Sequence, residues 1–338
     1  MNIRELARIA GVSKSTVAYA LKNSPKVSQE TCRRIQALAK KHGYTSNPAV
    51  TAFMRGVRDG QVPVHRHNLC YISSLDADGK SRRLRHGNEA ELIRGAQTEA
   101  KQLGCNLDVI DWGLNQKEQI QLNRIIEARG IQGIFFGPAT VPHTQMNLDW
   151  DTVAMISSGF TVEEPRMDRT AADLFTAVFE AGQRAMDRKY DCLVLAIQNL
   201  NHERVGWRWL AAITTLRELY GPARIQILQG TDAEMVKQVL AMKKKRTSAA
   251  VLSHSDFLKD LQVKGIRFPV DMGFIATDKM DEAPEITAIQ QPHFEAGRLG
   301  LRHLYSAVEN GVLGIPETPC RLAVSCGWHE GMSLPDRL

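Results

Sequence analysis

The sequence predicts a small all-α head followed by an α/β body of two doubly wound lobes. The first 46 residues contain three short helical patterns, and from Leu69 onward strand-like apolar runs alternate with helical patterns. Such alternation indicates parallel sheets with helices on both faces, joined by right-handed crossovers. The body has too many strands for one compact sheet, which favours two lobes.

A helix-turn-helix pattern opens the chain. The apolar residues of its first helix fall on one face at helical spacing: Ile3, Leu6, Ala7 and Ala10. Gly11 then breaks the helix, and Ser13 is a suitable N-cap for the second helix. Val17 and Leu21 face inward on that helix, so the polar residues near its start point outward.

The outward residues Lys14, Ser15 and Tyr19 are candidates for reading DNA. A recognition helix meets base edges with its N-terminal end. Lysine can donate to guanine, serine can pair with several bases, and tyrosine can donate to phosphate. An amphipathic hairpin with a solvated basic face would show the same pattern, so these residues alone leave both interpretations open.

Two further helices are predicted in the first 58 residues. Ser28 caps the third helix, Gly43 ends it, and its inner stripe comprises Thr31, Ile35, Leu38 and Ala39. Asn47 and Pro48 then begin a helix with an apolar face formed by Val50, Phe53, Met54 and Val57. This face indicates either a self-pairing helix with a wedge for the minor groove, or a linker helix packed on the next domain.

The positive charge is concentrated in the head. Residues 1–60 contain 11 Lys or Arg and 3 acids, a net +8, whereas the whole chain has 43 and 37, a net +6. The remaining residues therefore carry 32 basic and 34 acidic side chains, a net −2. A basic module on a near-neutral body is typical of a protein that binds phosphates through that module.

The run from residue 2 to residue 48 resembles the DNA-binding head of the LacI/GalR (lactose-repressor) family of bacterial transcription regulators. It contains the AGVS turn, the Thr16-Val17 pair, the V-S-x-x-T start of the third helix and the G-Y-x-x-N-P entry to a hinge helix. The resemblance implies a homodimer that binds a palindromic operator on double-stranded DNA, with two hinge helices paired over the minor groove.

The resemblance also implies which residues meet DNA. The base-reading positions fall on Lys14, Ser15 and Tyr19, and the hinge wedge, usually leucine, falls on Phe53. Ala18-Tyr19 stands where the family often has Ser-Arg, so the operator sequence does not follow by analogy. The expected DNA-binding set is Ser13, Lys14, Ser15, Thr16, Tyr19, Lys22, Ser28, Thr31, Tyr44, Asn47, Phe53 and Met54.

These patterns divide the chain into a head at 1–46, a hinge helix at 47–58, a linker at 59–68 and a body at 69–338. In the body, strands are predicted at 69–75, 106–112, 133–139, 152–159, 192–197, 224–230, 249–253, 272–277, 286–291 and 320–328. Helices are predicted at about 88–103, 117–129, 170–187, 203–220, 232–244, 255–263 and 293–310.

By the resemblance, the body consists of two Rossmann-like lobes of the periplasmic-binding-protein type, which the chain connects by three crossings. We expect the crossings near Gly159, near Gln290–Gln291 and near Thr318–Arg321. The N-lobe would then comprise about 69–159 and 291–318, and the C-lobe about 160–290 and 319–338. An effector would bind between them, at the carboxyl ends of the strands.

Strand-end loops and the resemblance together nominate residues for an effector cleft: Ser73, Lys80, Phe136, Arg204, Trp207, Arg208, His254, Asp256, Asp278 and Gln291. Arg204 and Arg208 are alternatives for an arginine that commonly touches the effector in the family, and Gln291 matches its crossover glutamine. The family's effector-binding aspartate falls on Ile275, a departure that weakens a standard sugar site. The basic loop at 76–87 indicates either an anionic ligand group or a solvated loop.

Several other classes of protein are disfavoured. No apolar run is long enough for a membrane span, and the polar start indicates no secretory signal, so we expect a cytoplasmic protein. The six scattered cysteines are expected to be buried free thiols, and His65 and His67 lack further metal ligands nearby. No phosphate-binding loop, G-x-S-x-G elbow or H-E-x-x-H motif is present, so neither an enzyme nor a cofactor is predicted.

The sequence thus predicts a homodimeric DNA-binding transcription regulator, a repressor, whose affinity for its operator is controlled by a sugar or another small polar metabolite. The alternative is a DNA-binding regulator whose cleft has lost ligand binding, which the isoleucine at position 275 favours.

Overall fold

A computed structural model describes residues 3–21, 24, 26–42, 67–76, 78–84, 87–113, 116–244 and 248–337. The chain divides into two compact units, residues 1–64 and 65–338. The predicted hinge helix at 47–58, most of the linker, and Lys22, Tyr44, Asn47, Phe53 and Met54 lie outside the described residues.

The described residues of the first unit form three short helices, α1 (Ile3–Ala10), α2 (Lys14–Leu21) and α3 (Gln29–Lys41). Their core is formed by small and branched apolar side chains, chiefly Leu6, Ala10, Val17, Ala20, Ile35 and Ala39. Gly11 has a φ of +66°, and its backbone N–H donates to the Arg8 carbonyl. Glycine adopts this conformation without strain, which is why the turn between α1 and α2 can follow at once.

The first lobe of the body is a six-stranded sheet in the order β2-β1-β3-β5-β7-β13, all parallel. Its strands are β1 (Asn68–Ser74), β2 (Asn106–Trp112), β3 (Gly133–Phe136), β5 (Ala154–Ser158), β7 (Asp168–Ala172) and β13 (Arg321–Val324). A small pair, β4 (Thr144–Gln145) and β6 (Val162–Glu164), lies beside it. The helices of this lobe are α4 (Gly87–Leu103), α5 (Gln116–Arg129) and α11 (His293–Glu309).

The second lobe has a six-stranded sheet in the order β9-β8-β10-β11-β12-β14, in which β14 is antiparallel to β12. Its strands are β8 (Cys192–Ala196), β9 (Ile225–Leu228), β10 (Ala249–Ser253), β11 (Gly273–Ala276), β12 (Ala288–Gln290) and β14 (Gly327–His329). Its helices are α6 (Leu174–Asp187), α7 (Asn199–Arg204), α8 (Arg208–Tyr220), α9 (Asp232–Lys244) and α10 (Ser255–Val263).

Each sheet is covered on both faces, as the near-continuous apolar strands require. On β8, Leu193 and Leu195 pack with α6 and α8, whereas Cys192 and Val194 face the other side, where α9 and α10 pack. This two-sided burial follows from the two-residue periodicity of a strand. The structure therefore has the predicted fold class, a helix-turn-helix head and an α/β body of two lobes built on parallel sheets.

Two of the predicted crossings lie elsewhere. The chain leaves the first sheet after β7, at Asp173, and not at Gly159, because Asp168–Ala172 forms a strand where the sequence predicted the approach to a helix. The predicted strand at 320–328 is in fact two strands in different sheets, so the last crossing lies at residues 325–326. The second crossing lies between Gln290 and His293.

The lobe boundaries shift accordingly. Residues 160–172 and Arg321–Val324, both assigned to the C-lobe from sequence, belong to the first lobe. The predicted helix at 203–220 is interrupted, because Gly206 and Trp207 both have positive φ, +56° and +63°. This break separates α7 from α8 at the edge of the interlobe cleft.

Candidate functional site

The head exposes the start of α2. Ser13, Lys14 and Ser15 are exposed, and the ring of Tyr19 is 39% exposed one turn further on. Val17 and Ala20 are fully buried on the opposite side. The arrangement leaves a polar surface at the N-terminal end of α2, where a recognition helix presents side chains to base edges.

Two serine caps fix the ends of the head helices. The Ser13 hydroxyl accepts the Thr16 backbone N–H at 3.1 Å, and the Ser28 hydroxyl accepts that of Thr31 at 3.3 Å. Their side chains also form hydrogen bonds with the Thr16 and Thr31 hydroxyls. Ser13, Thr16, Ser28 and Thr31 are therefore engaged in capping, and their hydroxyls retain only part of their hydrogen-bonding capacity for DNA.

Tyr19 has a cationic neighbour. The Lys26 ammonium lies 5.1 Å from the centre of the Tyr19 ring, a cation–π distance. Gln36 of α3 donates its side-chain amide to the Ala20 carbonyl at 3.1 Å and so ties α3 to α2. These contacts hold the α2 surface in place within the head.

In the body, a cleft of about 470 Å³ lies between the two lobes at the carboxyl ends of the strands. Its walls come from the loop after β1 with the start of α4, from the loops after β3, β5, β8 and β10, and from the first two crossings. Among its lining residues are Arg82, Asn88, Glu89, Phe160, Asn201, Arg204, Trp209, His254, Asp256, Gln291 and His293.

A buried ion pair forms one wall of the cleft. The Arg82 Nε donates to Glu89 Oε2 at 3.0 Å, and the Ser73 hydroxyl donates to Glu89 Oε1 at 2.7 Å. Burial raises the pKa of the Glu89 carboxyl, and these two donors oppose that rise. Ser73 was predicted to line the cleft, but it is fully buried and acts behind the wall, on Glu89.

A second arginine of the basic loop, Arg83, also pairs with a carboxylate. Arg83 donates to both carboxylate oxygens of Asp111, at 2.8 to 3.2 Å, and the Ser81 hydroxyl donates to the same group. These donors lower the pKa of Asp111 against the effect of its burial. Lys80, a predicted effector residue, is exposed in this loop and does not line the cleft. Arg82 and Arg83 therefore give little support to the anionic-ligand interpretation of this loop.

Arg204 lies on the cleft wall, whereas Arg208 does not. Burial lowers the pKa of the Arg204 guanidinium, and the nearby positive charge of Arg82 lowers it further. The Arg208 guanidinium stacks on the Phe160 ring at 3.5 Å and donates to the Val205 and Gly206 carbonyls. Of the two candidate arginines, Arg204 is the one placed to meet a ligand.

Trp207 stands at the break between α7 and α8. Its ring is 43% exposed and stacks on His202, with the ring centroids 6.0 Å apart. His202 is buried, and burial lowers its pKa. Trp207, predicted as an effector contact, lies outside the cleft wall, which Trp209 lines instead.

His254 and Asp256, nominated as strand-end residues, line the cleft, and so does Gln291, which the resemblance nominated. The His254 Nδ1 accepts the Phe257 backbone N–H at 3.2 Å and so caps α10. Gln291 donates its side-chain amide to the Thr277 carbonyl at 2.9 Å. His254 and Gln291 thus also stabilise the segments of the chain on which they lie.

Asp278 joins the lobes instead of lining the cleft. Its Oδ2 accepts from Asn88 Nδ2 at 2.6 Å and lies 2.7 Å from His293 Nε2, and both residues begin helices of the first lobe. Its Oδ1 accepts the backbone N–H of Lys279 and of Gln291. Asp278 was predicted to touch the effector, but its carboxylate is occupied by this bridge.

Phe136, the last of the predicted cleft residues, and Ile275, at the family's aspartate position, both lie in the hydrophobic core. Phe136 is buried and packs edge-on against Trp150, with ring centroids 6.0 Å apart. Ile275 is fully buried in the core of the second lobe. Phe136 was therefore wrongly assigned to the cleft, since its side chain belongs to a hydrophobic core of the first lobe.

Sequence reasoning missed several wall residues, chiefly Arg82, Glu89, Asn88, Phe160, Asn201 and His293. Phe160 and Asn201 follow the ends of β5 and β8, so the strand-end argument could have found them. Arg82 and Glu89 could not be found in this way, because a buried pair and an exposed loop have the same sequence pattern.

Across the part of the chain that the structure describes, no group of three or more potential ligands is arranged to hold a metal ion. Of the described helices, none combines the length and apolar composition needed to cross a membrane. Cys32, Cys70, Cys105 and Cys192 are buried free thiols, whereas Cys320 is exposed and Cys326 half-buried, unlike the predicted burial.

Comparison with known proteins gives a consistent result for the head and for the whole chain. Residues 2–47 match the family model described as bacterial regulatory proteins, lacI family. The HTH-type transcriptional repressor CytR of Escherichia coli (strain K12) is 24% identical, in an alignment that covers 92% of this chain and 91% of that repressor.

Two solved structures share the fold over nearly their whole length. A transcriptional regulator CelR–cellobiose complex has a TM-score of 0.58 and 17% identity, covering 98% of this chain and 99% of the other. A lac repressor dimer bound to operator and the anti-inducer ONPF has a TM-score of 0.58 and 13% identity, covering 99% of both chains.

Proposed function

This chain belongs to the LacI/GalR family of bacterial transcription regulators, and from that premise we propose that it binds a palindromic operator as a homodimer under the control of a small polar metabolite. It is a DNA-binding regulator and not an enzyme. The proposal further gives it the role of a repressor in the cytoplasm.

The observation that carries the DNA-binding proposal is the exposed start of α2 within the segment that matches the family. Lys14 and Ser15 would read base edges in the major groove, and Tyr19 would contact bases or sugar–phosphate beside them. The Ser13 and Ser28 caps orient backbone N–H groups at helix starts, where phosphates also bind.

The dimer and the hinge complete this proposal. Two heads on one dimer would bind two half-sites of a palindrome, because a two-fold axis in the protein requires one in the DNA. Phe53 and Met54 would wedge into the minor groove between the half-sites. Lys22, Tyr44 and Asn47 would add contacts near the backbone.

The effector would occupy the cleft between the lobes. Arg204, His254, Asp256 and Gln291 lie on its walls, and the Asp278 bridge joins the lobes at its edge. A ligand that contacts both walls would favour one arrangement of the lobes over another. If that arrangement changes the spacing of the two heads, ligand binding and operator binding are coupled by free energy.

One observation favours a second candidate, a regulator without an effector. Ile275 occupies the position at which the family commonly has its effector-binding aspartate, and it is fully buried. Without an aspartate at this position, the cleft lacks one polar anchor for a sugar. The alternative predicts that no small molecule stabilises the protein.

The DNA-binding proposal is tested by selecting a preferred operator from random duplex DNA with the full-length protein. Lys14→Ala should relax the preference at one or two base pairs per half-site, at a cost of about 1–3 kcal/mol in discrimination. Lys41→Ala removes the same charge from the exposed end of α3 and should leave the base preference unchanged. If Lys14→Ala retained the full preference, α2 would not be the recognition helix.

A further inference from the structure

The cleft contains an arginine that the described residues leave without a charged partner. Arg204 is half-buried on the cleft wall, and no carboxylate among the described residues forms an ion pair with it. Its guanidinium has lost part of its hydration, and the charge that acts on it is a second guanidinium, that of Arg82. An unpaired charge that is partly removed from water is energetically unfavourable. A ligand that brings a negative charge into the cleft would offset this cost.

The carboxylates of the cleft are engaged elsewhere. Glu89 is 3% exposed and accepts hydrogen bonds from Ser73 and Arg82. Asp256 points to solvent, where Lys259 lies 3.4 Å away. Neither group compensates Arg204, and the Arg82–Glu89 pair carries no net charge.

Two further polar atoms on residues of the second-lobe wall have no hydrogen-bond partner among the described residues, Trp209 Nε1 and His254 Nε2. The tryptophan nitrogen can only donate. His254 accepts a backbone N–H at Nδ1, so in the neutral ring Nε2 carries the proton and is also a donor. Both of these buried, unsatisfied atoms of the second-lobe wall are therefore donors.

We propose that the cleft binds a small ligand with one anionic group, a carboxylate or a phosphate, which pairs with Arg204. The planar guanidinium fits two oxygens of such a group side by side. A neutral hydroxyl could accept one of these N–H groups but would bring no negative charge to offset that of Arg204. This inference rests on the proposed effector function of the cleft and specifies the ligand class.

The rest of the ligand is polar and of the size of one sugar. The cleft volume of about 470 Å³ accommodates a molecule of that size. Asn201 and Gln291 present carboxamide groups, and Phe160 supplies an apolar face. A sugar acid and a phosphorylated sugar share the required chemistry, an anion on a polyhydroxy frame.

The test uses the full-length protein and matched sets of ligands. Thermal unfolding is measured with glucose, gluconate and glucose 6-phosphate, and with galactose, galacturonate and galactose 1-phosphate. We expect an anionic member to raise the melting temperature more than its neutral counterpart. A response to gluconate or galacturonate would identify a carboxylate ligand, and a response to the sugar phosphates would identify a phosphate.

Two variants locate the effect. Arg204→Gln should weaken binding of the anionic ligand about 30-fold or more by titration calorimetry, because a desolvated charge pair is lost. Arg217→Gln removes the same charge from the exposed side of α8 and should leave that affinity unchanged. Without ligand, Arg204→Gln should melt at the same temperature as the wild type or higher, since an unpaired charge is removed.

Two outcomes would overturn the inference, and they are distinguishable. If glucose or galactose stabilises the protein while their anionic derivatives do not, the cleft is a sensor but not of anions. If neither the neutral sugars nor their anionic derivatives bind, the result contradicts both the effector function of the cleft and its preference for an anionic ligand. A lower melting temperature of ligand-free Arg204→Gln would show that the arginine has a structural partner instead.

Discussion

The head and the cleft place their polar side chains in opposite environments. In the head, Lys14 and Ser15 are exposed, and the capping hydroxyls of Ser13 and Ser28 bond to residues two or three positions away. In the cleft wall, Glu89 is buried, and at the edge of the cleft Asp278 bonds to Asn88, 190 residues distant in the sequence. The polar surface of the head is held by residues close in sequence and faces water. The polar groups of the cleft come from distant parts of the chain that the fold brings together.

This difference determines how each region responds to substitution. An exposed polar residue loses little when its partner is removed, because water replaces the lost contact. A buried carboxylate that loses its partner keeps the full cost of desolvation. The expected losses of stability therefore decrease from the buried pair, through the interlobe bridge, to the helix cap of the head.

The largest effect is expected for Arg82→Ala. The substitution leaves Glu89, 2% exposed in its side chain, with only the Ser73 hydroxyl as a donor. The free energy of unfolding of the body should fall by about 3–5 kcal/mol in chemical denaturation.

Arg83→Ala is the matched control for this prediction. Its pair with Asp111 is 36% and 26% exposed, so the loss should stay below about 1 kcal/mol. Equal losses of stability for Arg82→Ala and Arg83→Ala would mean that water reaches the Arg82–Glu89 pair. Arg82→Ala combined with Glu89→Gln should recover part of the stability, because the buried charge is then gone.

An intermediate effect is expected for Asp278→Ala. The carboxylate holds Asn88 and His293 of the first lobe, and its side chain is 21% exposed. Removing these hydrogen bonds should cost about 1–3 kcal/mol of body stability. Small-angle X-ray scattering should also report a larger radius of gyration, and an unchanged radius with unchanged stability would argue against the bridge.

The smallest effect is expected for Ser13→Ala in the head. Loss of the hydrogen bond that caps α2 should cost about 1 kcal/mol, detected as faster amide hydrogen exchange in α2 with no change in the body. Ser15 lies in the first turn of α2 without capping a backbone N–H, so Ser15→Ala should leave exchange nearly unchanged. If Ser13→Ala lowered the free energy of unfolding more than Arg82→Ala, the expected order of effects in the head and the cleft would be wrong.

The same contrast explains what the sequence could predict. The caps at Ser13 and Ser28, the inner faces of the head helices and most body strands follow from local spacing, and the structure has them. The strand Asp168–Ala172 was missed because its first two residues are charged and form their hydrogen bonds with groups outside the strand. Asp168 Oδ2 lies 2.5 Å from His303 Nε2, and Arg169 donates to the Gly159 and Val162 carbonyls.

The cleft was predictable only in outline. Strand ends nominated His254 and Asp256 because the carboxyl ends of parallel strands meet at one edge of a sheet. The choice between Arg204 and Arg208 required the break at Gly206 and Trp207, which turns the two guanidinium groups in different directions. Pairing of Arg82 with Glu89 depends on how the loop after β1 folds back, which the local sequence does not specify.

The central claim is that a ligand in the cleft controls the binding of the head to DNA. The most direct test measures operator affinity by fluorescence anisotropy with and without the stabilising ligand, and ligand affinity with and without operator. We predict a change of about 5–150-fold, by the same factor in both directions, because the coupling free energy is shared. Ligand binding that leaves operator affinity unchanged would contradict the account, and the DNA-binding head and the cleft would then be independent.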